Sequence, residues 1–203
     1  MRPTWDEYFM LVAHLVKLRS TCIRRRVGAV LVKGTRIVAT GYNGVPVKFR
    51  HCTDVGCLRE VLKIPSGLCH ELCRGLHAEM NAIIQAAVFG VSTVGCKLYV
   101  TTYPCTMCAK MIANAGISEV IYDSDYEDEL AKSIFDEAGI VVRRFVLRGE
   151  LMRIVKALES LYRVPEVAPS PEVIELAKKL LPEYRKLCSL LSNTPLLDLR
   201  SEN

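Results

Sequence analysis

Between Lys97 and Val146 the chain switches repeatedly between strand-like and helix-like spacing, and this alternation restricts the fold more than any other feature. Lys97 to Thr102 alternates and is rich in β-branched residues, as a strand requires. Helical spacing from Cys105 to Ala115 stops at Gly116, a residue free to take the left-handed backbone that ends helices. Glu119 to Tyr122 reads as a second strand, Tyr126 to Ala138 as a helix ended by Gly139, and Ile140 to Val146 as a third strand. Strands joined through helices lie parallel, because each crossover carries the chain back to the starting end of the sheet. The helices must then cover the sheet faces. The chain is read as an α/β protein.

Upstream, Thr4-Trp5-Asp6-Glu7 has the form of a capping box, with Thr4 as N-cap. Apolar residues at Phe9, Val12, Ala13, Val16 and Leu18 extend that helix to about Arg19. Val27 to Lys33 and Arg36 to Thr40 read as a hairpin turning at Gly34-Thr35. In Gly41-Tyr42-Asn43-Gly44 the glycines and asparagine are expected to permit positive φ. Downstream, Glu150 to Leu161 and Pro171 to Leu190 are helical and are separated by Pro165, Pro169 and Pro171. These last helices suit packing on the core or on a neighbouring subunit. The expected organisation is a domain over residues 1–146, with a loop insert at 45–76, followed by a helical C-terminal extension over 147–203.

Composition excludes several classes of function. No stretch approaches the roughly 18 uncharged apolar residues of a membrane span. The segment Met1 to Glu7 lacks the charged-then-apolar layout of a secretory leader, so a cytoplasmic location is expected. The net charge of +5 suits a small anionic substrate. No basic stripe with interleaved aromatics marks a nucleic-acid partner.

The chain has nine cysteines, an odd count that speaks for reduced thiols and metal ligands over a disulfide framework. Their placement is more informative than their number. Residues 45–76 show no periodicity, yet hold His51, Cys52, Cys57, Cys69, His70 and Cys73. A loop of that length inside a domain needs something other than a core to order it.

Two short segments carry chemistry. His77-Ala78-Glu79 opens one predicted helix, and Pro104-Cys105-Thr106-Met107-Cys108 lies where a strand gives way to another. Cys105 and Cys108 fall on one face of a helix's first turn, where the dipole and free amides favour thiolates. With His77 they supply three metal ligands and leave a fourth position open, the pattern of catalytic zinc. Glu79 is left for proton transfer. Zinc brings the pKa of water towards neutrality, and an adjacent carboxylate can take that proton and deliver it elsewhere. A closed structural site has no use for such a carboxylate. His-x-Glu with a later Pro-Cys-x-x-Cys is the known signature of zinc nucleobase deaminases.

Four segments carry a wider likeness: Thr21-Cys22-Ile23-Arg24-Arg25-Arg26-Val27-Gly28-Ala29-Val30, Gly41-Tyr42-Asn43-Gly44-Val45-Pro46, His77-Ala78-Glu79-Met80-Asn81-Ala82-Ile83, and Pro104 to Cys108. In these the chain resembles the deoxycytidylate (dCMP) deaminases of the zinc-dependent cytidine deaminase-like superfamily, from about Thr4 to Phe145. Met80 departs from the polar residue of many relatives. The resemblance implies a three-layer α/β/α cytidine deaminase-like fold with a mixed five-stranded sheet. It also implies zinc-dependent hydrolysis of dCMP to dUMP and ammonia, supplying thymidylate synthesis. It assigns His77, Cys105 and Cys108 to the catalytic zinc and Glu79 to catalysis. Asn43 falls at the nucleotide sugar, Tyr126 near pyrimidine and phosphate, and Thr102 and Tyr103 on the amino-group side. Asn43 also suits a turn, and Tyr126 a packing position at a helix start. Members are often homo-oligomers, hexamers among them; some respond to dCTP, as a Mg complex, and to dTTP.

Some members hold a second, structural zinc. By position, Cys22, Cys52, His70 and Cys73 are its expected ligands, with Cys57, Cys69 and His51 as rivals. Cys96 and Cys188 have no partner in any motif, and His14 reads as a structural histidine. Arg24-Arg25-Arg26 suits either a phosphate or a solvated surface, and the acidic residues Asp123, Asp125, Glu127, Asp128 and Glu129 read as a solvated helix start.

Overall fold

The computed structural model describes residues 2–126 and 128–193, with side chains as far as residue 183, so Glu127 and the Cys188 side chain lie outside the described residues. Its elements are α1 (Trp5–Lys17), β1 (Gly28–Lys33), β2 (Arg36–Tyr42), α2 (Cys52–Val55), α3 (Leu58–Val61), α4 (Ala78–Val88), β3 (Lys97–Thr102), α5 (Thr106–Asn114), β4 (Glu119–Ser124), α6 (Glu129–Glu137), β5 (Val141–Arg144), α7 (Gly149–Leu161) and α8 (Pro171–Asn193). The sheet runs β2-β1-β3-β4-β5. The hairpin and the β1–β3 pair are antiparallel, whereas β3, β4 and β5 are mutually parallel. This is the mixed five-stranded sheet that the resemblance implies.

The period-two pattern of the strands divides the core into two layers. Ala29, Leu31, Leu98, Val100 and Val120 face Ala82, Ala86, Ile112 and Phe135 of α4, α5 and α6. Their neighbours Val30, Val32, Tyr99 and Ile121 face Phe9, Met10 and Ala13 of α1 and Val155 of α7. The Thr4 capping box closes α1: Thr4 Oγ1 accepts from the Glu7 amide at 3.2 Å, and Glu7 accepts from the Thr4 amide at 2.8 Å.

Gly41 sits differently from its expectation. Neither Gly41, Asn43 nor Gly44 has positive φ. Gly41 lies inside β2, and Gly44 continues the extended chain by exchanging hydrogen bonds with Leu76 at 3.1 and 2.9 Å. The glycine is required by proximity: a Cβ there would stand 2.2 Å from the Ala78 carbonyl oxygen and 2.4 Å from the Ala82 nitrogen. The first turn of α4 is thus seated directly on the β2 backbone. Gly41→Ala is expected to push α4 off the sheet and destabilise the fold by about 1–3 kcal/mol or more, read by thermal or denaturant unfolding.

Residues 45–76 are not structureless. They fold into α2, α3 and a 3-10 turn at His70–Leu72, each too short to show a helical period. α8 braces them: Val173 and Ala177 pack on Val55 and Leu58, and the Ser170 amide donates to the Val55 carbonyl at 2.8 Å. α7 instead joins α1, aided by a Lys17–Glu159 ion pair.

The acidic stretch is also more ordered than a solvated run. Asp123 is buried beside His14, with Oδ2 at 2.8 Å from the ring Nε2, and α6 starts at Glu129 behind Asp128 as N-cap. No helix among the described residues is long and apolar enough to cross a membrane.

Candidate active site

Two helix N-termini meet at the site, that of α4 and that of α5. His77 is the N-cap of α4, Glu79 lies in its first turn, Cys105 is the N-cap of α5, and Cys108 lies in the first turn of α5. His77 Nδ1 stands 3.4 Å from the Sγ of Cys105 and 3.4 Å from the Sγ of Cys108. Ligand atoms of His77, Glu79 and Cys108 all fall within 4.8 Å of one another, and Glu79 is buried. Imidazole and thiolate donors at helix N-termini form the borderline-soft set that zinc takes, so these residues fit a zinc ion.

The electrostatics suit that use. The hydrogen bond from Cys108 does most to hold the Cys105 thiol well below its ordinary pKa, and it drives Cys108 upwards in turn. Burial opposes charge on His77, but the hydrogen bond with Cys105 and the charge of Glu79 raise its pKa on balance. Glu79 is raised, chiefly by burial, against the pull of His77. A carboxyl so placed exchanges a proton at a higher pH than an exposed glutamate.

Asp128 fixes the geometry from outside. Its Oδ2 accepts from the Thr106 amide at 2.8 Å, while Oδ1 accepts from the Thr106 hydroxyl at 2.6 Å and the Ala131 amide at 2.9 Å. One carboxylate therefore caps both α5 and α6 and sets where Cys105 stands.

Asn43, Thr102, Tyr103 and Tyr126 line one cavity together with His77 and Glu79. Asn43 is largely committed to the protein: Oδ1 accepts from the Ser20 hydroxyl at 2.8 Å and the Val27 amide at 2.7 Å, and Nδ2 donates to the Arg25 carbonyl at 2.7 Å. One amide hydrogen remains for a ligand. Tyr103 packs edge-on against Tyr122, and the Tyr126 hydroxyl donates to the Gly67 carbonyl at 3.2 Å.

The second cluster is rearranged relative to its expectation. Cys22, Cys52 and Cys73 are joined by Cys57: burial first, and then the charges of Cys57, Cys22 and Cys73, push Cys52 up to about 12. His70 is not among them. Its Nδ1 lies 3.0 Å from His77 Nε2 and its Nε2 lies 2.9 Å from the Gly67 carbonyl, so both ring nitrogens are engaged beside the first site.

The model of the family described as "Cytidine and deoxycytidylate deaminase zinc-binding region" matches residues 3–124, more than half of the chain. The chain belongs to the cytidine and deoxycytidylate deaminase family. Among curated members, ComE operon protein 2 of Bacillus subtilis is 44% identical over 147 residues, covering 72% of this chain and 74% of that protein. The deoxycytidylate deaminase of Saccharomyces cerevisiae is 44% identical over 155 residues, covering 74% of this chain but 47% of its own length. The chain thus spans about half the length of that yeast relative. The crystal structure of the dCMP deaminase of cyanophage S-TIM5, in complex with dCMP and dUMP, superposes with a TM-score of 0.60 at 32% identity, covering 71% of this chain and 99% of that one.

Some residues beside this cavity escape a reading by motif. Asp128 is hidden in an acidic run. Arg59, which is buried, and Arg74, which is half-buried, line the cavity from the aperiodic insert, where no sequence pattern marks them.

Proposed function

We propose that this member of the family is a dCMP deaminase, which hydrolyses dCMP to dUMP and ammonia and so supplies dUMP for thymidylate synthesis. His77, Cys105 and Cys108 would hold the zinc, which when bound supplies the Lewis acidity that lets water lose a proton near neutral pH. The substrate pyrimidine occupies the cavity bounded by Thr102, Tyr103 and Tyr126. Glu79 takes a proton from the attacking water and passes it to the ring nitrogen. The water oxygen bonds to C4, and Glu79 carries the second proton to the amino group as the C4–N bond breaks. Water is consumed and ammonia leaves, so atoms balance.

One observation favours a nucleotide over a nucleoside. Four arginines, Arg24, Arg25, Arg59 and Arg74, line the same cavity, and three of their nitrogens, Arg24 Nη1, Arg59 Nε and Arg74 Nε, are buried with no hydrogen-bond partner in the protein. Unpaired buried donors are costly, and a phosphate would satisfy them with charge-assisted bonds. Arg59→Ala is expected to raise KM for dCMP by about 10-fold or more while leaving deoxycytidine turnover nearly unchanged, in proportion to a lost charged hydrogen bond. Equal effects on both substrates in steady-state kinetics would remove the phosphate assignment.

A second zinc on Cys22, Cys52, Cys57 and Cys73 anchors the insert, a reading supported by the charge effects of Cys22, Cys57 and Cys73 on Cys52 and by the place of all four along one cavity. Residues 1–146 carry the chemistry, and α8 of the C-terminal extension braces the insert. A homo-oligomer such as a hexamer, and control by Mg-dCTP and dTTP, complete the reading; sedimentation and initial rates with added triphosphate test them.

A further inference from the structure

The pair His70 and His77 carries an inference that rests on the zinc reading above. The Gly67 carbonyl can only accept, so the 2.9 Å contact places a proton on His70 Nε2. In the neutral ring, His70 Nδ1 then bears the lone pair. The hydrogen that fills its 3.0 Å contact must come from His77 Nε2. With its proton fixed on Nε2, a neutral His77 presents its lone pair on Nδ1, the atom 3.4 Å from both cysteine sulfurs.

The surrounding backbone is built to hold this arrangement. Gly67 has φ of +88°, and a Cβ there would come within 2.8 Å of the Tyr126 hydroxyl, which itself donates to the Gly67 carbonyl. Only glycine fits. The rings of His70 and His77 meet edge-to-face, with centroids 4.8 Å apart. The ring nitrogens of His70 face the Gly67 carbonyl and His77 Nε2, and one of them also lies within 4.8 Å of the ligand atoms of His77 and Cys105, so the rival to the relay is direct ligation by His70.

We propose that His70 is a positioning residue: a relay from the Gly67 carbonyl through His70 fixes the tautomer and orientation of His77 and so raises the affinity of the active site for zinc. Loss of such an outer partner typically weakens metal binding about 10- to 100-fold. Glutamine can reproduce the relay, since its amide nitrogen donates to a carbonyl while its oxygen accepts from His77 Nε2; it makes a poor zinc ligand.

The test is chelator competition for zinc on the full chain, comparing His70→Ala and His70→Gln with the unsubstituted protein. The expected result is an affinity for one zinc about 10- to 100-fold weaker in His70→Ala and largely restored in His70→Gln. NMR of the zinc-loaded protein should also show a slowly exchanging His77 Nε2 proton that exchanges fast in His70→Ala. Unchanged zinc affinity in His70→Ala overturns the relay, and so does a His70→Gln protein as weak as His70→Ala, which would make His70 a ligand. A protein that binds zinc as described yet leaves dCMP unchanged defeats the functional proposal and not the relay.

Discussion

Glu79→Gln is expected to keep its zinc and its affinity for dCMP while losing about 10²- to 10⁴-fold in kcat, the usual contribution of a placed acid–base group. The substitution is nearly isosteric, so the buried first turn of α4 can remain packed on Gly41 and the lost quantity is the proton carrier alone. Burial raises the Glu79 pKa. The carboxyl must be ionised to accept a proton, so activity falls as pH drops through its pKa in the zinc-loaded enzyme. That acid limb of the profile should vanish from the residual activity of the variant. Stopped-flow or steady-state rates across pH read both effects. Full activity in Glu79→Gln would remove the proton-transfer assignment.

Cys57→Ser carries the other large effect. If Cys57 closes a four-thiol site with Cys22, Cys52 and Cys73, its loss lowers zinc from two ions per chain to one. Structural zinc supplies roughly 10 kcal/mol or more of apparent folding free energy in small domains. Residues 45–76 have only single-turn helices and the small Val55, Leu58, Val173 and Ala177 cluster to fall back on. The insert should then be cut by protease while the sheet stays intact, and dCMP binding should weaken because Arg59 belongs to that insert. Elemental analysis with limited proteolysis checks the outcome. Two retained zinc ions and an uncut insert would contradict it.

The sheet and the meeting of His77, Glu79, Cys105 and Cys108 are legible in the sequence for physical reasons. Long elements such as α1 and β3 repeat their burial pattern often enough to show a period, and His77, Glu79, Cys105 and Cys108 lie close in sequence to the turns that orient them. The insert was not legible, because α2 and α3 are four residues each and show no period. His70 lies between Cys69 and Cys73 in sequence, which suggested a shared metal; the 3-10 turn rotates its ring towards His77 instead. Gly41 was identified as special, but for positive φ. The true cause, the approach of α4, is a tertiary contact that no local pattern contains. Asp123 and Asp128 looked like surface charge because a string of acids carries no mark of what packs above it.

The central claim is hydrolytic removal of the amino group from a cytosine nucleotide monophosphate. Its most direct test is ammonia release by the zinc-loaded protein offered cytidine, deoxycytidine, dCMP, dCTP and single-stranded DNA side by side. The account predicts the highest kcat/KM for dCMP, with one ammonia released per dUMP formed. A clear preference for deoxycytidine over dCMP, or no ammonia from any of the five, would contradict it.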